Sequence, residues 1–130
     1  MLSKCPTGSR TAMIAVVDDD ISVRESVESL LKSVGFQVTT YSSAEEFMDS
    51  PRLGVADCLV LDVRLDGMSG PDLQRELKTA GHSIPIVFVT AHETEALRER
   101  MMADGAIDCL LKPFSDDTLL DAVERALTLE

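Results

Sequence analysis

Residues 15–20 read Ala15-Val16-Val17-Asp18-Asp19-Asp20: three carboxylates follow directly on an apolar run. A short continuous apolar run suits a strand covered on both faces, as in a parallel sheet. Like charges crowded at its end repel, unless they take up protons, hold a cation or pair with a base.

Outward from this stretch, apolar runs alternate with helical patterns. Met13–Val17 is the first strand. Val23, Val27, Leu30, Leu31 and Val34 recur at helical spacing, with Asp20 as N-cap and Gly35 as the stop. Phe36–Tyr41 alternates like a strand. Ser42 or Ser43 ahead of Glu45 and Glu46 predicts a short capped helix ending before Pro51. Cys58–Leu61 is a second apolar run, and Asp62 to Gly70 reads as a loop. Pro71 suits the first turn of a helix reaching about Ala80. Ile84–Val89 is the third run, with Pro85 tolerable near its start. Glu93 to Asp104 predicts a helix closed by Gly105. Ile107–Leu111 is the last run, and Ser115 caps a helix with Leu119, Leu120, Val123 and Leu127 inward.

Strict alternation of strand and helix predicts an α/β fold with helices on both faces of a parallel sheet. Five strands favour the flavodoxin-like, doubly wound order 2-1-3-4-5 with five helices. A closed barrel needs about eight strands and about 250 residues. Residues 1–11 read as a flexible tail and 12–130 as one domain.

Composition agrees. Hydrophobic residues make up 45% of the 130, but aromatics only 4%, so the core is aliphatic. Lys plus Arg is 12 against 23 Asp plus Glu, a formal charge of −11. That excludes a grip on a phosphate backbone by this domain, which needs cations. Cys5, Cys58 and Cys109 match no zinc spacing and read as small hydrophobes in a reducing cytoplasm. No apolar run approaches about 18 residues, so no membrane span is expected.

In open α/β sheets, sites form beyond the carboxyl ends of the strands, where strand order reverses. In order 2-1-3-4-5 that point lies between strands 1 and 3. Asp18, Asp19 and Asp62 therefore converge there, with Thr90 ending strand 4 and Lys112 ending strand 5. A hard oxygen cluster suits magnesium, which needs only one or two carboxylates. An aspartate can itself be a nucleophile toward phosphorus. Phosphoryl transfer asks for little beyond positioning and charge neutralisation, and a metal, a lysine and a hydroxyl supply that.

The segments VVDDD (16–20), CLVLDVRLDGMSG (58–70), PIVFVTAH (85–92) and GAIDCLLKPF (105–114) resemble the receiver domain of two-component response regulators. The similarity is strongest to the nitrogen-fixation and LuxR-class regulators, whose receivers precede a DNA-binding domain. The resemblance implies that Asp62 is the phosphoacceptor. It implies that Asp18, Asp19, Asp62 and the backbone carbonyl of Arg64 hold Mg2+. Thr90 would bond a phosphoryl oxygen, Lys112 would pair with the phosphate, and the Lys112–Pro113 peptide would be cis. The implied partners are a sensor histidine kinase, a second copy on phosphorylation, and a C-terminal DNA-binding output domain where the chain is part of a longer protein. The domain would be a cytoplasmic switch that catalyses only its own phosphorylation and dephosphorylation. Asp20, one acid more than the site needs, is left as helix cap, with Arg24 as ion-pair partner.

Two positions depart from the family pattern. Cys109 replaces the aromatic residue that swings inward with the threonine, and Asp66 replaces a proline in the loop after Asp62, which should make that loop looser. A degenerate receiver serving as a phosphorylation-independent interaction module is the alternative reading. Arg64 could shield the phosphate or pair with Asp66. Other motifs fail on spacing. A calcium loop starting at Asp62 would need a bidentate Glu where Leu73 stands. A dehalogenase-type phosphatase would need an acid at Arg64. No Gly-x-x-x-x-Gly-Lys loop occurs.

Overall fold

A computed structural model describes residues 11–92 and 94–128. The expected tail, apart from Thr11, lies outside the described residues, as do Cys5 and Glu93. The strands are β1 (Met13–Val17), β2 (Gln37–Tyr41), β3 (Cys58–Asp62), β4 (Ile86–Thr90) and β5 (Asp108–Leu111). The helices are α1 (Ile21–Ser33), α2 (Ala44–Met48), α3 (Gly70–Thr79), α4 (Glu95–Ala103) and α5 (Asp116–Thr128). All strands pair in parallel in the order β2-β1-β3-β4-β5.

Alternation along each central strand splits the apolar residues into two cores. Ala15, Val17, Leu59, Leu61 and Phe88 face one side, where Phe47, Leu73, Leu77 and Met101 from α2, α3 and α4 cover them. Ile14, Val16, Val60, Val87 and Val89 face the other, under Val27 and Leu31 of α1 and Leu119, Ala122 and Val123 of α5. Burial on both faces is why β1, β3 and β4 read as unbroken apolar runs.

Several boundaries differ from the sequence reading. Ser43, not Ser42, caps α2: its hydroxyl accepts the Glu46 amide at 3.0 Å, while Glu46 reaches back to the Ser42 amide at 2.7 Å. A single 3₁₀ turn at Leu53–Val55, not anticipated, carries the chain toward β3. Pro85 lies just outside β4, offering its carbonyl to Leu59 but having no N–H to give. Helix α4 starts after Thr94, whose hydroxyl accepts the Leu97 amide; a hydroxyl cap fixes the start where charge patterning placed it two residues early. Ser115 accepts the Thr118 amide ahead of α5, as expected of a cap.

Candidate functional site

Strands β1 and β3 are neighbours; Asp62 ends β3, and Asp18 and Asp19 directly follow β1. Asp18 and Asp62 are buried, Asp19 is exposed, and an oxygen from each lies within 4.8 Å of the others. Asp18 is fixed from two sides. Its Oδ1 accepts the Asp20 amide at 2.9 Å, and its Oδ2 receives Lys112 Nζ at 3.0 Å. Lys112 also reaches Asp62 Oδ2 at 3.5 Å, so one ammonium spans both buried carboxylates. It does so from the end of the edge strand β5, where the Lys112–Pro113 peptide is cis.

Burial pushes the Asp62 carboxyl up, and the Asp18 charge pushes it further, to about 6; Lys112 and the Arg64 amide pull the other way. Burial tends to lower the Lys112 pKa, but its hydrogen bond and attraction to Asp18, and then Asp62, leave it raised. Burial and the neighbouring Asp18 thus make Asp62 reluctant to carry its charge. An all-oxygen, hard donor set with one solvent-facing member fits a small divalent cation that keeps part of its water shell.

The neighbouring residues take less expected positions. Asp20 caps α1, accepting the Ser22 amide at 2.9 Å. Arg24 does not pair with the Asp20 carboxylate. Its Nη1 donates to the Asp18 carbonyl at 2.7 Å, because the Asp20 side chain is engaged by the helix amides. Thr90 is fully buried and its hydroxyl donates to the His92 carbonyl at 2.6 Å. Arg64 meets the site through its backbone amide, which donates to Asp62 Oδ1 at 3.2 Å. Arg64 and Asp66 are both exposed, and no ion pair joins them. Cys109 is buried among the apolar residues facing α4.

Two residues escaped the sequence reading. Gly70 opens α3 directly under the end of β3: a Cβ there would stand 2.5 Å from the Asp62 carbonyl oxygen. The Ser-Gly-Pro run around it was legible as a helix start, but the close approach was not. Glu45 accepts the Met68 amide at 2.9 Å across 23 residues, a contact that spacing alone does not reveal. The open groove of about 730 Å³ bordered by Met13, Phe36, Val38 and Arg52 includes none of the acids.

The sequence profile of the response regulator receiver domain matches residues 14–124. The chain belongs to this family. The receiver domain is 48% identical over 118 residues to Nodulation protein W of Bradyrhizobium diazoefficiens, covering 91% of this chain and 52% of that protein. It is 40% identical over 115 residues to the Transcriptional regulatory protein FixJ of the same organism, covering 88% and 56%. Among solved structures, response regulator StyR matches with a TM-score of 0.85 and 47% identity, over 92% of this chain and 61% of that one. FixJ-N matches with a TM-score of 0.82 and 33% identity, over 93% and 97%. The receiver domain spans about half the length of these curated relatives. No described helix of the receiver domain is long and apolar enough to cross a membrane.

Proposed function

We propose that the receiver domain accepts a phosphoryl group on Asp62 from the phosphohistidine of a sensor histidine kinase, with Mg2+ bound at Asp18, Asp19, Asp62 and the Arg64 carbonyl. The observation that carries this reading is the pairing of a buried, raised-pKa Asp62 with a lysine and two further acids at the sheet's switch point. An Asp62 oxygen attacks phosphorus, the phosphorus–nitrogen bond of the donor breaks, and the departing imidazole takes up a proton. Magnesium, when bound, offsets the negative charge gathered by the acids and the incoming phosphoryl oxygens. Lys112 supplies a second positive charge, already held in place by Asp18.

Thr90 couples this chemistry to the output. Its hydroxyl would exchange the His92 carbonyl for a phosphoryl oxygen, freeing the segment that leads into α4. The face formed by α4, β5 and α5 would then govern dimerisation or a partner domain. In keeping with the names of the transcriptional and nodulation regulators it resembles, that partner is a C-terminal DNA-binding domain where the chain is part of a longer protein. The domain acts in the cytoplasm, has no external substrate, and catalyses only its own phosphorylation and hydrolysis.

The test is intact-protein mass after incubation with magnesium and acetyl phosphate, for wild type and Asp62→Ala, with size-exclusion chromatography on the same samples. The expected result is one added phosphoryl mass, absent from the variant. No gain under conditions that phosphorylate an ordinary receiver would overturn the reading in favour of a phosphorylation-independent interaction module.

A further inference from the structure

The loop from Val63 to Gly70 carries the Arg64 carbonyl expected at the cation. Three bonds fasten its two ends. The Val63 amide donates to Val89, the Arg64 amide to Asp62 Oδ1, and the Gly70 amide returns to the Val63 carbonyl at 3.0 Å. The far side of the loop is held by another element. Glu45, in the first turn of α2, accepts the Met68 amide at 2.9 Å. Gly67 beside it has φ +79°, and a Cβ there would stand 2.7 Å from Glu45 Oε2. The glycine thus serves two needs: it makes the turn and leaves room for the carboxylate. Leu65 and Met68 settle against the same core as Ala44 and Phe47, so α2 and the loop also share packing.

Glu46, next to Glu45, is committed to its own helix, bonding the Ser42 amide and hydroxyl. Glu45 instead reaches out to the loop. It sits opposite the stretch where Asp66 removes the rigidity of a proline, and it anchors the loop by hydrogen bond where a ring would anchor it by restricting φ.

We propose that Glu45 is a positioning residue for the phosphorylation site: by holding the Met68 amide, beside the glycine turn at Gly67, it presets the loop that offers the Arg64 carbonyl to magnesium. This rests on the phosphoacceptor reading of Asp62. Glu45 touches neither the cation nor the phosphoryl group. Its loss therefore weakens magnesium binding while leaving the rate at saturating magnesium near that of the wild type.

The experiment compares wild type, Glu45→Gln, Glu45→Ala, Gly67→Ala and Asp62→Ala. It reads magnesium affinity by calorimetry, amide hydrogen exchange at Met68, and phosphoryl mass gain from acetyl phosphate at low and saturating magnesium. Circular dichroism establishes that each variant is folded. The expected loss in magnesium affinity for Glu45→Ala is about five-fold, the scale of one ordinary net hydrogen bond at a solvent-facing site. Met68 exchange accelerates in parallel. Gly67→Ala, which displaces the carboxylate, gives the same pattern, whereas Glu45→Gln keeps an acceptor oxygen and recovers most of the affinity. Unchanged magnesium affinity in folded Glu45→Ala, or a Glu45→Gln as impaired as Glu45→Ala, overturns the proposal while the reading of Asp62 stands. A wild type that neither binds magnesium nor gains phosphate overturns both.

Discussion

Arg125 Nη2 donates to Asp108 Oδ2 at 2.7 Å, pinning the last helix to the edge strand β5. The other oxygen of Asp108 meets Arg98 of α4 at 3.4 Å, and Arg98 also donates to the Cys109 carbonyl at 2.7 Å. One half-buried carboxylate thus ties together the three elements of the proposed output face. Asp108→Asn should cost about 1 kcal/mol of stability near pH 7, since the pairs are partly exposed. Urea unfolding measures it.

The same residue sets a pH test. Burial pushes the Asp108 carboxyl up, but the Arg125 hydrogen bond, the Cys109 amide and both guanidinium charges outweigh it and hold it below its usual value. A depressed carboxylate stabilises the fold above its unfolded pKa of about 3.9, and that contribution fades as pH falls through the folded value. The gap between wild type and Asp108→Asn should hold from about pH 7 to about pH 5 and narrow as pH falls through about 4 and below. A gap that stays constant would place the effect in packing.

Asp62 predicts the opposite sign. Burial, then Asp18, raises its folded pKa to about 6, so folding favours the protonated acid. Without magnesium, Asp62→Asn should be more stable than wild type at pH 7.5, by about 1–2 kcal/mol. The advantage should shrink as pH falls from about 6 through the unfolded value of about 3.9, below which the wild-type acid is protonated in both states. Thermal unfolding of the two proteins across that range checks it.

Lys112→Ala removes the cation that spans Asp18 and Asp62. Two buried acids are then left facing each other, at a cost of about 2–3 kcal/mol near neutral pH. Millimolar magnesium should restore much of that loss, because a cation at the acids takes over the neutralisation. Melting temperatures with and without magnesium decide it, and equal deficits in both buffers would argue against a cation site.

Gly70→Ala places a methyl 2.5 Å from the Asp62 carbonyl oxygen, a backbone atom that cannot turn aside. The end of β3 or the start of α3 must shift. The expected loss is at least about 2 kcal/mol, and soluble expression with a chemical denaturation curve measures it.

The sequence made the sheet legible because β1, β3 and β4 are buried on both faces and the turns between elements carry Gly, Pro and capping hydroxyls. Asp18, Asp19, Asp62 and Lys112 could be placed together because strand order alone brings their strand ends to one edge of the sheet. What escaped were contacts that depend on side-chain reach. Arg24 finds a carbonyl instead of a carboxylate, Thr90 turns to His92, and Glu45 crosses to Met68. None of these follows from periodicity, which says which face a residue occupies but not which atom it finds there.

Lys112 and Asp18 are separated by 94 positions in the chain, and their strands by two intervening ones. A polypeptide growing from its amino end therefore displays its acids long before the balancing ammonium has been made. Closing that distance is among the slow, entropically expensive steps of forming such a sheet. The acidic cluster thus doubles as a proof of assembly: until the fifth strand docks, Asp62 lacks its cationic neighbour, and the proposed phosphoryl acceptor is incomplete.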